Sequence, residues 1–168
     1  KQMNINYLVI PLVDNGRIEN DLERESLHSC LMSKIPLLKD CKLSILFETD
    51  FTPKKVKSFI DDYQFSNFGI NYDIGNSASL GYNPNDEFNL YGERIKNVHV
   101  KDRVLNGTTV PLGEGNADFN SVIKCLAEAN YRGNFILQTA RDSKSQHLQA
   151  LLKYKKFIES KLISYYKK

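Results

Sequence analysis

Short apolar runs alternate along this chain with longer stretches in which apolar side chains recur every three or four positions. The first run, Ile5 to Val13, closes at Pro11 and the turn-forming Asp14-Asn15-Gly16 and reads as a strand. Glu19 to Leu38 then sets Leu27, Leu31, Ile35 and Leu38 at helical spacing among charged residues, which predicts one amphipathic helix. Leu43 to Phe47 is the second strand, and Thr52-Pro53 opens a second helix as a capping residue followed by proline at the first helical position. Val56, Phe59, Ile60 and Tyr63 line its buried face. Phe68 to Asp73 is the third strand, and Ile74 to Ala78 is small and polar enough to predict a loop that approaches a ligand. Pro84 to Tyr91 reads as a short helix and Ile95 to Val100 as the fourth strand. In the long segment after it, Asn106-Gly107 marks a turn, Gly113 and Gly115 allow tight backbone, and Asp118 caps a helix with Phe119, Val122, Ile123, Leu126 and Ala127 on its apolar face. Tyr131-Arg132-Gly133 turns into a fifth strand, Asn134 to Leu137, and a terminal helix carries Leu148, Leu151, Leu152, Ile158 and Leu162.

Strand followed by helix, repeated five times, predicts an α/β fold with a parallel sheet and helices outside it, and strands buried on both faces account for the lack of alternation. Residues 1–168 are read as a single domain. An open doubly wound sheet usually concentrates its site at one switch point, whereas here four strands run out into ligand-type side chains: Glu48, Asp73, His99 and Gln138. Convergence from many strand ends is the habit of the (β/α)₈ TIM barrel, whose active site lies at the carboxyl ends of its strands. Such a barrel takes about 250 residues, so this chain would supply about five of the eight units and lack its amino-terminal ones.

With 41% apolar residues the chain can bury a core, and its net charge of +3 is too small to mark a nucleic-acid footprint. Lys153, Lys155, Lys156, Lys161, Lys167 and Lys168 instead predict a solvated helix face. Three cysteines, Cys30, Cys41 and Cys125, form no CxxC pair and leave an odd count, which indicates neither a disulfide framework nor a zinc ribbon and fits a cytoplasmic protein. No segment approaches the roughly 20 apolar residues of a membrane span, and no secretory signal opens the chain. The first residue is Lys1 and an apolar run follows at once, so the sequence is expected to begin inside a longer protein or a processed one.

The segments Phe-Glu48-Thr-Asp, Gly-Ile-Asn-Tyr-Asp73-Ile-Gly-Asn76, Asn-Val-His99-Val-Lys101-Asp102-Arg103, Pro-Leu-Gly113-Glu-Gly115-Asn-Ala-Asp-Phe119 and Tyr-Arg-Gly133-Asn-Phe-Ile-Leu-Gln138 resemble strands five to eight of the xylose-isomerase-like TIM-barrel superfamily, the sugar and sugar-phosphate isomerases and epimerases. Ile5 to Val13 would be strand four. The resemblance implies one divalent metal, Mn²⁺, Co²⁺, Mg²⁺ or Zn²⁺, held by Glu48, Asp73, His99 and Gln138, with Gln138 standing where the family usually has Glu. It also implies proton transfer next to a carbonyl through a metal-stabilised enediolate, with Glu48 as base and Gln138 at the second catalytic position. Arg103, Arg141, Lys101 and Asn76 are the expected substrate contacts, and the partner is a small-molecule sugar or sugar phosphate. Asn76 stands where several relatives have His, and with His28, His99 and His147 as the only histidines the superfamily's multi-metal DNA-repair branch is not indicated.

Each strand-end residue taken alone could equally cap a helix or join an ion pair, and Lys101, Asp102 and Arg103 could be a local charge network. His28 and His147 read as exposed helix residues. A carboxamide at Gln138 cannot accept and return a proton at neutral pH, which would halve the machinery of a two-base epimerisation but not of a one-base isomerisation, and two expectations follow: a metal-dependent sugar or sugar-phosphate isomerase/epimerase-like enzyme, or a catalytically silent barrel that binds or builds. A partial barrel would also leave its first and last strands open at the edge, so a homo-oligomer or association through those edges is expected.

Overall fold

A computed structural model of the chain describes residues 5–142 and 145–166; Lys1, Lys167 and Lys168 lie outside the described residues. In chain order, β1 (Tyr7–Leu12), a 3-10 turn (Asp14–Gly16), α1 (Asp21–Ser33), α2 (Ile35–Cys41), β2 (Ser44–Thr49) and α3 (Pro53–Asp61) lead into β3 (Phe68–Asp73). They are followed by α4 (Ile74–Ser79), α5 (Pro84–Tyr91), a 3-10 turn (Gly92–Arg94), β4 (Ile95–Val100), β5 (Asp102–Arg103), β6 (Thr109–Val110), α6 (Phe119–Glu128), β7 (Asn134–Leu137) and α7 (His147–Tyr166). The five expected strands form one sheet in the order β1-β2-β3-β4-β7, while β5 and β6 make a separate antiparallel hairpin. The chain divides into two compact units, one up to Asn71 and one from Tyr72.

In the first unit β1 pairs parallel with β2 from Tyr7↔Ser44 to Leu12↔Thr49, and β2 with β3 from Ile45↔Phe68 to Phe47↔Ile70. Its core is aromatic. Phe47 meets Phe59 edge-on at 5.0 Å between ring centroids, and Tyr63 packs at 4.7 Å from Phe47 and 5.0 Å from Phe68. Such pairs add about 0.5–1.5 kcal/mol each beyond the area they bury. Burial also pushes the Tyr63 hydroxyl up to about 12. The helix expected over Glu19 to Leu38 is two helices. Asn20 caps α1 by accepting the Glu23 N–H, and the chain re-enters at Lys34 with Pro36 in the first turn of α2, because proline lacks an N–H and its ring clashes with the carbonyl four residues back. Proline opens α3 as expected, but the Thr52 side chain makes no capping bond. His28 is half-buried rather than exposed, its ring 5.1 Å from that of Tyr63.

In the second unit β4 pairs parallel with β7 from Asn97↔Asn134 to Val100↔Leu137. Val98, Val100, Phe119, Val122, Ile123 and Leu126 are buried, and Asp118 caps α6 through the Ser121 N–H, as its position indicated. Three differences stand out. The segment after Asp73 is a helix, not a loop: the Asp73 side chain accepts the Asn76 N–H and so starts α4, whose Ile74, Gly75, Ser77 and Ser79 are buried. The strands are not all buried on both faces; β3 is buried throughout, whereas β7 alternates exposed and half-buried residues. On α7, Tyr154 and Ile158 are buried while Leu148, Leu151 and Leu152 are exposed, so the apolar face begins a turn later than its leucines suggested. Lys153, Lys155 and Lys156 are exposed as expected.

The β5–β6 hairpin turns at Asn106, which takes the left-handed conformation (φ 52°) that asparagine tolerates. Asp102, fully buried, accepts the backbone N–H groups of Gly113, Gly115 and Ala117 at 2.8, 3.0 and 3.1 Å and so folds the segment after β6 around its carboxylate. A side chain at Gly115 would put its Cβ 2.2 Å from Asp102 Oδ1, which is why glycine stands there.

Candidate metal centre

Asp73 and His99 lie one at the end of β3 and one next to last in β4. The Asp73 side chain is 1% exposed, and its two oxygens have separate duties. Oδ1 accepts the Asn76 N–H at 2.9 Å, which fixes the carboxylate against the first turn of α4. Oδ2 lies 3.9 Å from His99 Nδ1 and 3.3 Å from Lys101 Nζ. A buried carboxylate held in one orientation with an imidazole nitrogen close to its second oxygen is a pair of hard and borderline donors of the kind that divalent ions select.

Lys101 reaches Asp73 because residue 75 has no side chain: a Cβ on Gly75 would sit 2.7 Å from Lys101 Cγ and 3.1 Å from the Lys101 carbonyl carbon. The ammonium also donates to Asn76 Oδ1 at 3.3 Å. That same oxygen accepts from Arg103 Nη1 at 2.9 Å, while Arg103 Nε and Nη2 both donate to the Gly107 carbonyl at 3.0 and 2.6 Å. Arg103 therefore ties the hairpin turn to α4, and three of its donors are spent on neutral oxygens.

In the first unit, Glu48 is the next-to-last residue of β2 and 7% exposed. Asn71, 2% exposed on the neighbouring strand, donates its side-chain N–H to Glu48 Oε2 at 2.7 Å. A bond to one oxygen of a buried carboxylate selects its rotamer. Two residues on, Asp50 pairs with Arg17, whose Nε donates at 2.9 Å, so the turn after β1 is bound to the end of β2.

Gln138 directly follows β7, its backbone N–H donating to the Val100 carbonyl at 3.0 Å, and its side chain is exposed. Arg141 and His147 are exposed as well.

Two features escaped the sequence. Asn71 is a polar interruption inside an apolar strand, and that interruption was a readable signal. Glu87, 2% exposed in α5, accepts from Tyr72 at 2.7 Å, Ser77 at 2.5 Å and Tyr91 at 2.6 Å, and no local pattern marked it as buried. Burial raises its pKa above 4.5, against the pull of the three hydroxyls, and burial together with the Glu87 charge raises Tyr72 and Tyr91.

The chain matches the family described as xylose isomerase-like TIM barrel over residues 1–159. An inosose dehydratase of Clostridium botulinum (strain Eklund 17B / Type B) is 32% identical over 110 residues, which cover 54% of this chain and 37% of that protein. A crystal structure of IOLI protein with a binding zinc atom has a TM-score of 0.80 at 16% identity, over 97% of this chain and 65% of that one. A structure of L-ribulose 3-epimerase has a TM-score of 0.76 at 15% identity, over 95% and 62%. These two likenesses show the fold alone, and the chain spans less than two thirds of each of the three proteins. The sheet and helices described above are thus part of a barrel, and the chain belongs to the xylose isomerase-like TIM barrel family.

Proposed function

We propose that this protein is a metal-dependent sugar or sugar-phosphate isomerase/epimerase-like enzyme that moves a proton next to a carbonyl. The observation that carries the reading is the Asp73–His99 pair, a buried carboxylate pinned by a helix with its second oxygen 3.9 Å from an imidazole. Membership of the family and the zinc atom in the IOLI neighbour support it. Glu48, Asp73 and His99 are the proposed ligands, two carboxylates and an imidazole, with Gln138 as a fourth through its carboxamide oxygen. That donor set fits Mn²⁺, Co²⁺, Mg²⁺ or Zn²⁺. When bound, the ion supplies a Lewis acid that makes the carbon beside the substrate carbonyl more acidic.

Glu48 takes the proton from that carbon and delivers it to the former carbonyl carbon, while the hydroxyl proton passes from one substrate oxygen to the other, and Asn71, by holding Oε2, orients the carboxylate for the transfer. Gln138 cannot serve as a second base, so the chemistry runs on one face of the carbon, which favours isomerisation over two-base epimerisation. Of the four proposed substrate contacts, Arg103 and Asn76 also hold each other, Lys101 borders the metal carboxylate, and the exposed Arg141 is the cation for a phosphate or carboxylate group. The flanks of the sheet, where Leu8 and Ile136 are 48% and 44% exposed, are proposed to take up further strands, from a second copy or from the rest of a barrel.

The test is the metal content of the intact natural protein purified without chelator, compared with its His99→Ala variant by elemental analysis. Near-stoichiometric metal that falls away in the variant is expected, together with exchange of a substrate C–H for deuterium that Glu48→Gln abolishes, screened over ketoses and their phosphates. A protein free of metal would instead be a catalytically silent barrel, consistent with Gln138 in place of the strand-eight carboxylate. Metal without exchange, with activity appearing in Gln138→Glu, would mark a decayed enzyme.

A further inference from the structure

We propose that Lys101 is a built-in counter-cation of the metal centre: it holds Asp73 in the metal-free protein and competes with the divalent ion for that carboxylate, so that Lys101 sets how tightly the ion binds. The inference rests on the reading of Asp73 and His99 as metal ligands. Its basis is that one oxygen, Asp73 Oδ2, faces both the Lys101 ammonium at 3.3 Å and the His99 imidazole at 3.9 Å. An ion drawn to that oxygen and that imidazole arrives beside a positive charge already in place.

The arrangement is built. The Lys101 side chain is only 15% exposed, and its stem crosses the first turn of α4 where Gly75 leaves room for it. The ammonium has a second acceptor in Asn76 Oδ1, also at 3.3 Å, which can keep it when the ion takes Oδ2. Arg103 shares that acceptor, so a second positive charge stands behind the first. A lysine suits the task because its charge is compact and rides on a flexible stem, whereas a guanidinium would grip the carboxylate with a fixed fork. A buried carboxylate without a cation is costly, so the ammonium stabilises the empty site and its repulsion weakens the filled one.

Removing the charge while keeping the stem separates the two effects. Lys101→Met in the intact protein, stripped of metal with chelator and titrated with Mn²⁺ by calorimetry, is expected to bind roughly tenfold tighter or more than wild type, since like charges a few ångströms apart in a partly buried site repel each other and little water screens them. The metal-free variant is expected to melt at a lower temperature than metal-free wild type. Lys101→Gln, a second neutral side chain, shifts affinity in the same direction and carries the test if the methionine variant does not fold. Affinity unchanged or weaker in both variants, with wild type binding Mn²⁺ and Asp73→Asn not, overturns the counter-cation and leaves the metal reading intact. No Mn²⁺ binding by wild type or any variant overturns both.

Discussion

Replacing Asp102 with asparagine takes one acceptor oxygen from a carboxylate that organises the segment after β6. Its Oδ2 accepts Gly113 and Gly115, and its Oδ1 accepts Ala117. Asparagine keeps a single oxygen. With that oxygen in the Oδ2 position, the two glycine bonds survive but lose their charge assistance, about 1 kcal/mol each. The new amide then meets the Ala117 N–H donor to donor, which costs about 1–3 kcal/mol for a buried N–H left without an acceptor. The sum is about 3–5 kcal/mol, and the flipped amide costs more because it strands two N–H groups. Relaxation cannot recover much, since the Gly115 backbone already packs against Asp102 and the Arg103 carbonyl. A domain stable by about 5–15 kcal/mol would lose a large part of its margin. Urea unfolding of the intact protein measures the loss, and amide hydrogen exchange locates it: protection at Gly113, Gly115 and Ala117 should fall first. A loss below about 1 kcal/mol with those amides still protected would refute the account of Asp102 as the organising acceptor.

Two further outcomes follow from buried and capping carboxylates. Glu87 has its pKa raised above 4.5 by burial, so the folded protein holds that proton more tightly than the unfolded chain does. Its contribution is complete below that value and is lost as pH rises through the raised pKa; unfolding titrations at several pH values should therefore move in favour of Glu87→Gln as pH climbs, and a constant difference would contradict the shift. Asp118 caps α6 through the Ser121 N–H at 3.0 Å and hydroxyl at 2.6 Å, and those bonds hold its carboxyl below 3.8. Asp118→Ala should cost about 1 kcal/mol near neutral pH, with wild type and variant converging as acid protonates Asp118; equal stability at neutral pH would remove the cap from the account.

Much of the fold was legible because its causes are local. Five apolar runs became five strands of one sheet, and Asp118 and Asn106 took the cap and the turn that their side chains suit. The misreadings also have local causes. Pro36 lay in a stretch whose apolar spacing was uninterrupted, and the spacing outweighed it, although proline's missing N–H divides the helix there. The small, polar residues after Asp73 looked like a loop, but the Asp73 side chain accepts the N–H three residues on, a cap that its strand-end place allowed, and starts a helix there. Leu148, Leu151 and Leu152 share the period of a buried face, and periodicity alone does not say what packs against it.

The sequence by itself determined which chemistry the strand ends carry: a carboxylate at Asp73, an imidazole at His99, a carboxylate at Glu48 and a carboxamide at Gln138. Parallel strands deliver such side chains to one end of a sheet, so naming the strands named the candidates. Only the tertiary structure decided what each of them touches. Lys101 lies 28 residues from Asp73 and Arg103 lies 27 from Asn76, yet two oxygens bind those two cations together, and Arg103, a substrate-binding candidate, also pins a hairpin. Glu87 became a buried acceptor because Tyr72, Ser77 and Tyr91 brought it three hydroxyls. The tendency toward helix or strand is written in the local pattern of apolar and polar residues, whereas a charged side chain takes whichever partner the folded chain brings within about 3 Å of it.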